Sequence, residues 1–163
     1  MTAKNDINFI RRWIAFFMVA LIISGLTAVP LEWGTDWLAS ILERVGDPWT
    51  TWSNKAALAV SDVGKDYPFL FYGTDWLAFA HVVIALAFLG PYRDPVRNKW
   101  VIEWGVWSCV LVLPLALLWA PVRGIPFFWS CIDASFGVLG SIPLCLVLQR
   151  IKRMEKAENV RSA

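Results

Sequence analysis

The chain has 163 residues, 58% of them hydrophobic and 17% charged, with 11 Trp and a formal net charge of +2. Average globular chains run near 45–50% apolar and about 25% charged, so the apolar excess points to lipid as the solvent. The small net charge implies no nucleic-acid partner. Cys109, Cys131 and Cys145 each lie inside an apolar run and form no C-x-x-C pair, which argues against a disulfide scaffold or zinc ribbon and for small buried apolar residues.

The whole chain, 1–163, reads as a single membrane domain of the all-α class: an integral membrane four-helix bundle with short amphipathic helices in its external loop. The first span is 13–29, stopped by Pro30. Lys4, Arg11 and Arg12 precede it and small residues follow near 24–28, so it has the outline of a signal peptide. An uncleaved first helix is the expectation. Seventeen residues rise about 25 Å, slightly less than a ~30 Å hydrocarbon core.

Residues 30–72 form an external segment with six acids (Glu32, Asp36, Glu43, Asp47, Asp62, Asp66) against three bases. A structureless connection this long would be unusual. Trp37, Leu38, Ile41, Leu42 and Val45 make an apolar stripe at helical spacing, ended by Gly46. Trp52, Ala56, Ala59, Val60 and Val63 make a second, ended by Gly64. The expectation is helices near 35–45 and 51–63, packed on the bundle with Trp37 and Trp52 partly buried. The string GTDWLA occurs at 34–39 and again at 73–78. Thr35 and Thr74 are suited to cap a helix, with Asp36 and Asp75 in the first turn and Trp37 and Trp76 at the interface, so a shared local solution explains the repeat without duplication.

The second span is 74–90, the third 101–120 and the fourth 127–148, with a tail at 149–163. Eleven Lys and Arg residues fall on the side of the N-terminus, the 91–100 loop and the tail, against four (Arg44, Lys55, Lys65, Arg123) on the other. The positive-inside rule then puts both termini in the cytoplasm of a multi-pass protein of the bacterial inner membrane. Trp13 and Trp100 lie near inner ends, and Trp76, Trp119 and Trp129 near outer ends, as aromatic belts require. The loop GPYRDPVRNKW reads as a rigid basic turn, or as a dock for anionic headgroups or a partner subunit.

Ionisable groups at membrane depth are functional candidates. His81, the sole histidine, lies about 10 Å below the outer end of its span, and Asp133 about 9 Å below the outer end of its own. Shared depth makes them a candidate pair, either structural or catalytic. Ser130, Asp133, Gly137 and Ser141 follow spacings of three and four, a polar seam whose Gly137 and Ser141 admit a close helix. Pro114 frees a carbonyl at similar depth. Asp75 at the head of the second span and Arg123 in the outer loop join His81, Asp133 and Ser130 as candidate ligand-binding residues. One histidine is too few for a bis-histidine haem, and the positions three and four from His81 hold no metal ligand, so neither a metal nor a cofactor is expected. A Ser130–His81–Asp133 triad lacks a nucleophile elbow.

GTDWLAFAH, GPYRDPVRNKWVIEWG and PVRGIPFFW resemble stretches of a group of uncharacterised small bacterial four-span membrane proteins. The resemblance covers residues 73–140 and implies no activity. The chain is also similar in outline to the four-span sterol-isomerase and sigma-2-receptor group, which binds an amphipathic ligand among acidic and aromatic side chains. No motif residue of that group is matched here, so no site carries over. Two functions stay open. One is a non-enzymatic binding or accessory protein whose outer-leaflet pocket holds a membrane lipid, a lipid-like molecule or a partner's helix, with a homo-oligomer as one form of partner. The other is a small intramembrane isomerase or hydrolase of a lipid, with His81 as acid–base and Asp133 orienting it.

Overall fold

The computed structural model describes residues 3–162. Every regular element among them is helical: α1 (Ala3–Leu26), α2 (Leu31–Leu42), α3 (Trp49–Asp66), a 3₁₀ turn (Pro68–Phe71) leading into α4 (Tyr72–Ala87), α5 (Leu89–Arg93), α6 (Lys99–Pro114), a π-helical turn (Leu115–Trp119), α7 (Ala120–Val122) and α8 (Phe127–Ser162). Four stretches are long and apolar enough to cross a membrane: Asn5–Leu26, Pro68–Arg93, Lys99–Val122 and Phe127–Ala157. The all-helical class and the four apolar helices agree with the sequence. The chain divides into two compact units, Met1–Val19 with Ala85–Ala163, and Ala20–Ile84.

The first unit is organised by α6 against α8. Gly105 makes their close approach possible, since a Cβ there would stand 2.8 Å from Phe88 Cζ and 2.9 Å from Leu144 Cδ1. Around it Ile10, Ile14, Phe88, Ile102, Leu144, Val147 and Ile151 are fully buried, and the Phe17 and Phe88 rings lie 4.9 Å apart. At α8 the small-residue seam performs as its spacing suggests. Gly137 and Ser130 are buried, and a Cβ on Gly137 would stand 2.6 Å from Cys109 O on α6. α8 continues as helix beyond residue 148, so the expected tail is an extension of the last span. The α5–α6 loop is a built turn. Asp94 is extended ahead of Pro95, its Oδ1 accepts from Arg97 N–H, and the Asn98 side-chain amide donates to Gly90 O and Asp94 O. Cys109 and Cys145 are half-buried, but Cys131 is exposed.

One end of this unit is tied by polar contacts. Arg150 Nη1 meets Asp6 Oδ1 at 2.7 Å and its guanidinium sits 4.8 Å from the Phe9 ring centre. Lys99 Nζ lies 2.8 Å from Glu155 Oε1. Arg11 donates to Tyr92 O and Arg93 O and stands over the Tyr92 ring. These contacts join α1 to α8, α6 to α8, and α1 to α5.

The second unit contains α2 and α3 in close contact. Both helices start earlier than the sequence suggests, because Leu31 and Trp49 each follow a proline that serves as N-cap. Thr35 and Thr74 therefore lie inside helices and do not cap them; Thr35 Oγ1 donates to Leu31 O and Glu32 O, and Thr74 Oγ1 to Phe71 O. The acid in the first turn of α2 is Glu32, not Asp36, while Asp75 does occupy the first turn of α4. The α2–α3 contact is made by small residues, with Ala39, Ser53 and Ala57 buried. The apolar stripe of α2 is split: Leu38 and Leu42 are half-buried, while Ile41, Val45 and Trp37 are exposed, and Trp37, expected to be partly buried, is 56% exposed and stacked on the exposed Trp33. Trp52 is half-buried. Gly46 has φ +89° in the turn after α2, but Gly64 does not end α3. Its lack of a side chain leaves room for the Glu32 carboxylate and the Phe71 ring instead.

Candidate functional site

The sequence places six residues between the third and fourth spans, and the backbone there explains the site. Pro114 has no N–H to continue the helix ladder and its ring crowds the carbonyl four residues back. Past it the chain widens into a π-helical turn in which Ala120 N–H bonds to Leu115 O, five residues back. Such turns are rare and concentrate at functional positions. α7 then closes with a glycine in the left-handed region, Gly124 at φ +75°. Its N–H bonds to Pro121 O at 2.9 Å and Ile125 N–H returns to Ala120 O at 3.2 Å. This is the paired C-terminal closure that favours glycine, and it brings Ile125 back over Ala120.

The widened turn and the returning loop line an open cavity of about 290 Å³. Val112, Leu115, Ala116, Trp119, Ala120 and Ile125 supply apolar walls, and Arg123 and Asp133 supply charge. Arg123 is exposed, with its guanidinium 5.9 Å from the Trp119 ring centre. Asp133 is half-buried and makes no hydrogen bond or ion pair with the described residues of its own unit. Arg123 and Asp133 share one cavity but do not form an ion pair. Ser130 lies just before Asp133 on α8, fully buried, with its hydroxyl directed to Pro126 O at 3.4 Å. It is not a wall of the cavity.

His81 and Asp75 belong to the other unit. His81 Nδ1–H donates to Leu77 O at 2.7 Å, one turn back on α4, which leaves Nε2 as a proton acceptor. The ring is half-buried and lies over Gly25 of α1, where a Cβ would stand 2.5 Å from His81 Cβ and 3.1 Å from Ala78 O. Asp75 is exposed in an open aromatic notch with Tyr72, Trp76 and Phe79. Tyr72 and Phe79 both meet Trp76 edge-on, with ring centres 6.0 and 5.6 Å from it.

Two features escape a reading of the sequence. The π-helical turn has no periodicity signal of its own, although Pro114 and Pro121 bracket it. Gly25 stands beside Ser24 and Thr27, which attract attention for their hydroxyls, yet it is the glycine that receives His81. Thr27 lies in the turn just after α1, and its Oγ1 donates back to Ser24 O at 2.7 Å.

Compared with family models, with curated proteins and with solved structures, the chain matches none. Site geometry is what carries a functional reading.

Proposed function

We propose that this is a four-span helical-bundle protein of the bacterial inner membrane, with both termini cytoplasmic, and that it is a binding or accessory protein. Its cavity beside the π-helical turn takes an amphipathic, lipid-like molecule from the outer leaflet. One observation carries the reading: Arg123 and Asp133 line the same apolar-walled cavity without neutralising each other. An ionised carboxylate at membrane depth is costly unless it is paired or solvated. A ligand donor group that reaches Asp133 removes that cost, while Arg123 attracts an acceptor nearer the surface. The apolar walls suit the ligand's hydrocarbon part, and the volume suits a headgroup with its first few carbons.

The test is the content of the purified protein. Full-length protein extracted in mild detergent is analysed by native mass spectrometry and lipid profiling. Wild type is expected to retain one amphipathic species. Asp133→Asn and Arg123→Gln should fold normally and lose occupancy by about tenfold or more, since a charge-assisted hydrogen bond contributes about 1.5–3 kcal/mol. The same lipid complement in all three proteins would end the reading. Reporter fusions test the topology separately: those after Arg97 and Lys156 should report cytoplasm, and one after Lys55 the outside.

A second reading, an intramembrane acid–base enzyme acting on a lipid, has one observation in its favour. The Leu77 carbonyl holds a proton on His81 Nδ1, which leaves Nε2 as the nitrogen free to accept one. His81→Gln should abolish turnover of a lipid incubated with the protein while leaving the occupancy of the Arg123–Asp133 cavity unchanged. No product from wild type would remove this alternative.

A further inference from the structure

The basic residues at the polar-tied end of the first unit divide into two groups. Arg11, Lys99 and Arg150 turn inward to carbonyls and carboxylates. Arg12, Arg93, Arg97, Lys152, Arg153 and Lys156 are exposed, and none of their side chains makes an ion pair or hydrogen bond among the described residues. The sequence treats all of these as one topological signal. The structure separates cations used to join helices from cations left free.

We infer that the six free cations form a contact surface for the headgroups of anionic phospholipids. The inference rests on the reading that the four apolar helices span a bilayer. Two observations put headgroups within reach. The inward contacts Arg11–Tyr92, Asp6–Arg150 and Lys99–Glu155 bring the start of α1, the α5–α6 loop and the distal part of α8 to the same end, so cations from all three meet there. Trp100 is 65% exposed and Tyr92 is also exposed at this end, and aromatic rings of this kind mark the headgroup level. α8 has 36 residues, about 54 Å of helix. A ~30 Å hydrocarbon core leaves roughly its last 16 residues outside, with Lys152, Arg153 and Lys156 just beyond the boundary. Basic side chains so close to a span interact with an anionic leaflet at short range, and the attraction is screened by salt.

The experiment measures thermal unfolding of the full chain in micelles doped with phosphatidylglycerol or, at equal content, phosphatidylcholine. Phosphatidylglycerol is expected to raise the wild-type unfolding temperature more than phosphatidylcholine does. The difference should shrink as salt rises from about 0.01 M to about 1 M, where the Debye length falls from about 30 to about 3 Å. The triple variant Lys152→Gln/Arg153→Gln/Lys156→Gln keeps Arg12, Arg93 and Arg97 as orientation signals and should lose about half of the difference. Equal stabilisation by the two lipids, or an undiminished response in the triple variant, overturns the inference. So does an equal shift from inorganic phosphate, which would mean a site for the free anion. The wild-type salt series decides the matter if the variant does not fold. Extraction from membranes by carbonate or high salt would instead overturn the spanning reading beneath it.

Discussion

Gly25 and His81 fit as notch and ridge: a Cβ on Gly25 would stand 2.5 Å from His81 Cβ and 3.0 Å from Cγ. Those atoms are held by the α4 backbone and by the Nδ1–Leu77 hydrogen bond, so they cannot step aside as a side-chain tip can. Gly25→Ala is expected to destabilise the protein by about 1–3 kcal/mol, the usual cost of overpacking. His81→Ala in that background should restore part of the loss, because it removes the ring though not its Cβ. Thermal unfolding of the two variants checks this, and an unperturbed Gly25→Ala protein would refute the notch.

Gly137 and Gly64 make a contrasting pair. A Cβ on Gly137 meets Cys109 O, a backbone atom locked in α6, at 2.6 Å. A Cβ on Gly64 meets chiefly the free end of the Glu32 side chain. Gly137→Ala should cost about 1–3 kcal/mol or prevent folding. Gly64→Ala lets Glu32 swing away and gains about 0.5–1 kcal/mol of helix propensity, so its stability should stay within about 1 kcal/mol of wild type. Denaturation of the two variants side by side distinguishes a fixed neighbour from a movable one.

These pairs show how much was legible. Hydropathy and length locate the four apolar helices, because both act within a single segment. The polar seam on α8 is legible for the same reason, since Ser130 and Gly137 share a face by period alone. The π-helical turn, the direction of the α2 stripe and the inward bonds of Arg11, Lys99 and Arg150 depend on which neighbour arrives in three dimensions. Trp37 reads as partly buried from its spacing, yet small Ala39, Ser53 and Ala57 make the α2–α3 contact and leave Trp37 exposed. Arg123 and Asp133 were each singled out from sequence, but only the returning Gly124–Ile125 loop brings them to one cavity.

Asp6 and Arg150 lie 144 residues apart in sequence and 2.7 Å apart in space, with about a fifth of each side chain exposed. Asp6→Asn should cost about 1–2 kcal/mol, because a charged partner is left half-buried with a weaker acceptor. Arg150→Gln should cost about 0.5–1 kcal/mol more, since it also loses the stacking on Phe9. Both losses should persist whatever the lipid charge, which separates this inward cation from the six free ones. Unfolding in neutral detergent measures them, and a silent Arg150→Gln would remove the pair from the account of stability.

Pro114 stands directly before the π-helical turn Leu115–Trp119. The residue after Cys109, Val110, has a carbonyl that Pro114 cannot satisfy, because proline has no N–H. Relaxing the ladder there allows five extra-wide residues, Leu115–Trp119, before α-helical bonding resumes at Ala120. Pro114→Ala returns the missing donor and removes the ring's clash with the preceding turn. The helix is then expected to tighten through 115–119, which turns every later side chain by up to one residue's rotation, about 100°. Arg123, Ile125 and Trp119 would no longer frame the cavity with Asp133. Stability should rise by about 1 kcal/mol or more, part of the cost of an interior proline, while the retained lipid species falls by about tenfold or more. A stability gain with lost occupancy separates a functional turn from a structural one, since a merely destabilising change lowers both. Lost stability with full occupancy would show that the proline serves packing and that the cavity does not depend on the π-helical geometry.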